Sequence, residues 1–189
     1  APMREIVLAL AEHGQYLPSD PCLLDEGATL GGTLAAGISG PSRLLYGSLR
    51  DFVMEVQFLD GLGNLVRGGG KVVKNAAGFD FPKLMVGSLG RLGMITEATL
   101  KVVPRPSSTA TVCIAPGSVK QAIVVAHALQ SQPIPLSGIT IACDDAIRMY
   151  VQIASPEASL TATSQRIEAI VSATDASLGV QHIAASDEQ

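Results

Sequence analysis

The sequence predicts an α+β fold in two parts, and three observations carry that expectation. Phe52 to Leu59 alternates between two sides, and Asp60-Gly61-Leu62-Gly63-Asn64 then supplies turn chemistry before Leu65-Val66-Arg67, which is the pattern of a β-hairpin. After residue 106 the apolar patterning runs strand, helix, strand, strand, helix, which is at least half of a two-layer unit of ferredoxin-like type. Between these regions Pro104 and Pro106 end an apolar run and mark the expected boundary, giving domains 1–106 and 107–189.

A chain of 189 residues is long enough for one full domain and part of another. Apolar residues make up 47% of it and charged residues only 16%, against about 25% charged in an average soluble domain, so disorder is excluded. Thirteen Lys and Arg against seventeen Asp and Glu give a formal net charge of −4 with no basic block. That is the wrong sign for a reader of phosphate backbones, and no nucleic-acid partner is expected. The longest uncharged stretch, Gln121 to Cys143, is interrupted by Gln130-Ser131-Gln132-Pro133 and Pro135, so it reads as helix, turn and strand and not as a transmembrane segment. Three widely spaced cysteines, Cys22, Cys113 and Cys143, provide neither a disulfide framework nor a metal knuckle, and fit a reducing cytoplasm.

Element by element, Met3 to His13 places Ile6, Val7 and Leu10 on one stripe, with Pro2 suited to a first turn and Gly14 to a C-terminal cap, so a short helix is expected. Tyr16 to Pro21 must be extended or turning, because a residue before proline is pushed out of the helical region. Gly93 to Val103 reads as a strand or strand pair. In the second part Thr109 to Ile114, Ile134 to Cys143 and Arg148 to Ala154 read as strands, Ser118 to Gln130 and Pro156 to Ala173 as helices, and Ser186 to Gln189 as a polar tail.

Two segments stand out for chemistry. Gly27 to Gly40, GATLGGTLAAGISG, carries hydroxyls at Thr29, Thr33 and Ser39 and almost no large side chain. Bare main-chain N–H groups at the opening of a helix suit a phosphate or pyrophosphate, whereas a close helix contact explains the same residues structurally. Gly87 to Thr96, GSLGRLGMIT, repeats glycine every third residue into an apolar strand. A tight bend accounts for it, and so does packing of the backbone against a flat aromatic ligand. Lys74 to Asp80 between them reads as an exposed polar turn.

Taken in order, ATLGGTLAAGISG, Tyr46-Gly47, Arg50-Asp51 and FLDGLGNLVRGGGKVVKNAAGFDFPKLMVGSLGRLGMITEATLKVVPRP resemble the second half of the FAD-binding domain of p-cresol methylhydroxylase (PCMH) or vanillyl-alcohol oxidase type. Ser39-Gly40-Pro41 and the GGKVVKNAAGFD run are most similar to the glycolate oxidase FAD-binding subunits within that superfamily. The resemblance covers about Met3 to Pro106 and implies the second subdomain of a PCMH-type domain followed by part of a ferredoxin-like cap. It implies FAD as cofactor, with Thr29, Gly31 and Gly32 near the phosphates, Ala35, Ala36, Gly37, Ser39 and Gly40 along the flavin, and Gly93 and Ile95 supplying main-chain contacts. It further implies a cytoplasmic oxidoreductase subunit acting on a small 2-hydroxy acid, with partners that include an iron-sulfur subunit through which it would lie against the inner membrane.

The chain departs from the family pattern. No phosphate loop of the first FAD subdomain precedes Ala1, which suggests a fragment, and the cap is expected to stop short of a complete domain. Leu89 and Arg91 replace the acidic residue and Thr usual in the second glycine segment. Oxidation of a hydroxy acid needs a base and a cation for the carboxylate. His13, His127 and His182 are scattered, so no metal site is expected, and Arg50 reads as an ion pair with Asp51 while Arg43 stays open as a carboxylate or phosphate ligand. No catalytic residue is identified. Two alternatives stand beside the subunit reading: a stand-alone FAD-dependent 2-hydroxy-acid dehydrogenase, and an interaction module of the same fold that binds no flavin.

Overall fold

The computed structural model describes residues 1–71 and 78–183. Lys74 to Ala77 of the expected polar turn and the tail from Ser186 lie outside the described residues. The chain divides into two compact units, Ala1–Arg105 and Pro106–Gln189, each with its own buried cluster of apolar side chains.

Unit 1 opens with α1 (Met3–Glu12), preceded by extended Pro2 and followed by Gly14 in the left-handed region. Its buried stripe is Met3, Ile6 and Leu10. Val7, expected on that stripe, has 37% of its surface exposed. The extended segment is a short strand, β1 (Gln15–Tyr16), paired antiparallel with β5 (Val103–Pro104). The hairpin forms as β2 (Val53–Leu59) and β3 (Leu65–Gly69), closed by Asp60, whose Oδ1 accepts from the N–H groups of Leu62 and Asn64, each at 2.8 Å. β4 (Met94–Leu100) pairs with the other edge of β2, giving the order β3-β2-β4, and two short helices, α3 (Arg43–Tyr46) and α4 (Phe81–Met85), belong to the same unit.

One face of this sheet carries Val56 and Phe58 into the core with Leu34, Leu49, Phe52 and Met85. On the other, Glu55 is 9% exposed and is held by Arg67, whose Nε lies 2.6 Å from Glu55 Oε1, and by the Thr99 hydroxyl. Arg67 also reaches Glu97 at 3.4 Å, so one guanidinium ties all three strands together.

Unit 2 runs β6 (Thr109–Ile114), α5 (Val119–Gln130), β7 (Leu136–Cys143), β8 (Ile147–Ala154), α6 (Glu157–Thr174) and β9 (Val180–Ile183). The all-antiparallel order β7-β8-β6-β9 is that of a split βαβ unit. β9 is a strand that the sequence pattern did not show; with it the described elements of this unit run β, α, β, β, α, β. Its pairing partner β6 lies far earlier in the chain, beyond the reach of any local periodicity.

 Across the paired positions that separation runs from 66 residues at Ile114↔Val180 to 72 at Thr111↔Ile183. Val112, Ile114, Met149, Val151 and Ile153 from the strands meet Ala122, Val125, Leu129, Ile167 and Val171 from the helices in a core without solvent access. Gln121 to Cys143 is the expected helix, turn and strand, and among the described residues no helix is long and apolar enough to cross a membrane.

Candidate functional site

The first glycine-rich segment forms α2 (Leu30–Ala36). Thr29 is its cap: the backbone there is extended and Oγ1 accepts from the Gly32 N–H at 3.2 Å. Gly37 ends the helix at φ +66°, a conformation that glycine adopts without the Cβ clash other residues meet. Only Leu34 is fully buried; it anchors the helix to the core and leaves the small residues around it half open.

The second glycine-rich segment lies against the end of this helix. Gly87 N–H donates to the Leu34 carbonyl at 3.0 Å and Leu89 N–H to the Ala35 carbonyl at 2.8 Å, so two of the carbonyls left over at a helix end are satisfied by the other segment. The approach is close enough that a Cβ on Gly37 would stand 2.8 Å from Gly87 Cα. At the opposite end of α2, a Cβ on Gly31 would lie 3.7 Å from the Ile95 carbonyl oxygen. A helix of this length spans roughly 10 Å. The two segments therefore run side by side over that distance and present main chain where side chains would normally stand.

The predicted residues divide along this line. Thr29, Gly31, Gly32 and Ile95 gather at the start of α2, and Ala35, Ala36 and Gly37 at its end. Ser39 and Gly40 follow in the next loop, and both already have structural partners: Ser39 Oγ accepts from Leu49 N–H at 3.2 Å, and the Cβ position of Gly40 is taken by Asp20. Gly93, at φ +151°, has its Cβ position blocked by the Leu59 carbonyl and the Phe58 ring, so the missing side chain lets β4 begin against β2.

Sequence reasoning named Gly87 as part of the second glycine segment and Leu89 as a departure from the family pattern, without assigning either a cofactor contact, and it gave no role to the Ser88 hydroxyl or to Asp20. At Gly87 and Gly90 nothing lies within 4 Å of where a Cβ would be. Ser88 Oγ is enclosed and has no hydrogen-bond partner, an uncommon condition for a hydroxyl inside a protein. Around these glycines Ile38, Leu89, Leu92 and Met94 expose between 44% and 71% of their surface, forming an apolar rim. Leu89 also holds φ +52°, a costly backbone conformation for a branched side chain.

The charged candidates fall elsewhere. Asp51 turns back on Ser48, accepting from its N–H at 2.8 Å and its hydroxyl at 2.9 Å, and those bonds hold its carboxyl below the usual range. The local Arg50–Asp51 ion pair expected from adjacency is thus replaced by a capping box, and Arg50 bears electrostatically on Asp80. Tyr16 and Tyr46 meet edge to face at 5.9 Å; burial first, then the Tyr46 hydrogen bond, pushes the Tyr16 hydroxyl well above its ordinary range. His13 and His127 are exposed, and His182 pairs with Glu168 at 2.5 Å. Among the described residues no three His, Cys, Asp or Glu side chains gather as a metal site.

Comparison with known proteins fits this arrangement. Residues 1–69 match the model of the family described as FAD binding domain. The chain is 38% identical over 164 residues to glycolate oxidase subunit GlcE of Escherichia coli, covering 87% of this chain and 46% of that protein. It is 36% identical to a mitochondrial D-lactate dehydrogenase [cytochrome] of Arabidopsis thaliana, over 74% of this chain and 24% of that one. The chain thus spans about half the length, or less, of these curated relatives. Among solved structures, an alkyldihydroxyacetonephosphate synthase superposes with a TM-score of 0.73 over 95% of this chain and 40% of its own, at 19% identity, which establishes likeness of fold. Residues 1–69, within unit 1, are thus similar to an FAD binding domain, and the fold over 95% of the chain is that of the solved synthase.

Proposed function

We propose that the chain is the FAD-holding part of a glycolate-type 2-hydroxy-acid dehydrogenase or oxidase, working as a subunit with partners that include an iron-sulfur protein, in the cytoplasm. The observation that carries this reading is the union of the two glycine segments by main-chain bonds, Gly87 to Leu34 and Leu89 to Ala35. A dinucleotide with a flat ring needs exposed main chain, an apolar border and hydrogen-bonding groups not already satisfied. Open space at Gly87 and Gly90, the rim of Ile38, Leu89, Leu92 and Met94, and the unpartnered Ser88 hydroxyl meet those needs, so the residues present fit the cofactor.

In this reading Thr29, Gly31, Gly32 and Ile95 hold the phosphate-bearing end, while Ala35, Ala36, Gly37, Ser39 and Gly40 border the ring. Bound there, FAD would supply an acceptor for the hydride of a hydroxy acid and a route for its electrons. The chain's own contribution is binding, orientation and exclusion of water from the apolar rim. The naming of the Escherichia coli relative as a glycolate oxidase subunit supports both the substrate class and the multi-subunit setting.

The test is direct. Protein purified from the complete open reading frame should be yellow and retain FAD through gel filtration. Binding is followed by the flavin's own absorbance and emission. A colourless preparation that cannot be reconstituted with FAD would sink the proposal. Replacing Gly32 with a bulky residue separates the non-flavin module from the flavoprotein: the flavoprotein should lose FAD, whereas the module should keep its partner.

A further inference from the structure

Asp20 stands at φ +44°, a region that disfavours side chains and that Asp and Asn tolerate best. Such a conformation persists where its neighbours over-determine it. Here they do. Ser42 donates to both carboxylate oxygens of Asp20, its N–H to Oδ2 at 2.7 Å and its hydroxyl to Oδ1 at 2.8 Å. One residue earlier in the first loop, the Ser19 carbonyl accepts from Gly40 N–H at 3.2 Å. Between these two attachments a Cβ on Gly40 would fall within 3.0 Å of the Asp20 carboxyl group. Asp20 takes part in no ion pair among the described residues, so neutralising a neighbouring cation does not explain it.

From this bracket we infer that Asp20 is a positioning residue: by gripping Ser42 and pressing on Gly40, it sets the path of Ser39–Gly40 along the flavin. The inference rests on the flavin reading above. It adds a residue that touches no cofactor and acts through the loop it holds. The bonds are charge-assisted and oriented, so losing them lets the loop move while the core of unit 1 stays intact.

The decisive experiment uses protein from the complete open reading frame, comparing wild type with Asp20→Ala, Asp20→Asn and Ser42→Ala. Asparagine offers an oxygen to Ser42 N–H, an amide N–H to the Ser42 hydroxyl, and tolerance of positive φ. Asp20→Ala should bind FAD about tenfold more weakly, equivalent to about 1.4 kcal/mol, and change the visible circular dichroism of the bound flavin. Asp20→Asn should restore both properties, and Ser42→Ala should fall between. Wild-type affinity and dichroism in Asp20→Ala would overturn the inference, as would an Asp20→Asn protein that behaves like the alanine variant. Should Asp20→Ala lose its far-ultraviolet signal, Ser42→Ala decides, and unchanged flavin dichroism there counts against the proposal. A wild-type protein that takes up no FAD refutes the flavin reading itself, and Asp20's part in it.

Discussion

At the scale of single residues, the carboxylates of Glu55 and Asp51 in unit 1 are each held by specific partners, and removing one partner exposes what it did. Glu55 has little access to solvent and depends on Arg67. Arg67→Met should cost about 1–2 kcal/mol in urea unfolding, between the value of an exposed pair and that of a buried one, because Arg67 itself is half exposed. Asp51 makes a different prediction, about pH. Its carboxyl is held low by the Ser48 hydroxyl and N–H, so the folded state binds its proton less readily than the unfolded chain. The stabilisation is fully present above the unfolded value of about 3.9 and is lost as pH falls through the lower folded value. Unfolding curves from about pH 5 down to about pH 3 should therefore fall less steeply for Asp51→Asn than for wild type; parallel curves would refute the assignment.

The elements depend on close approach at a few points. α2 can end beneath the second glycine segment because neither Gly37 nor Gly87 has a side chain, and because Gly37 turns left-handed. Gly37→Ala combines a poor backbone conformation with a clash at 2.8 Å. It should destabilise by about 1–3 kcal/mol and shift the Gly87–Leu89 turn, read as a lower thermal midpoint together with weaker FAD retention. In unit 2, Ile167 on α6 is wholly buried against the sheet. Truncation to alanine should cost about 2–5 kcal/mol, measured as the shift of the denaturant midpoint, with flavin retention unaffected if that unit plays no part in holding the cofactor. Much of this layer was legible from sequence: the helix stops at glycines, the Asp60 turn and the alternation of β2 are all local signals. Val7 and β9 were not, because whether a side chain faces in, or a short polar strand finds a partner, depends on elements far away in the chain.

For the whole molecule, two separate cores predict two separable folding units. Residues 106–189 expressed alone should unfold cooperatively in urea, since their core draws only on their own strands and helices. Loss of cooperativity would show that this core needs the rest of the chain. By itself the sequence determined the first helix, the hairpin, the order of strands and helices from β6 to α6, and the glycine-rich composition of the two segments. Those properties are written in neighbours a few residues apart. Only the tertiary structure decided that Gly37 meets Gly87 about fifty positions along the chain, that Gly93 serves the sheet, and that Asp20 and Ser42 bracket Gly40, because contacts between distant segments are fixed by packing and hydrogen-bond geometry that no local pattern records.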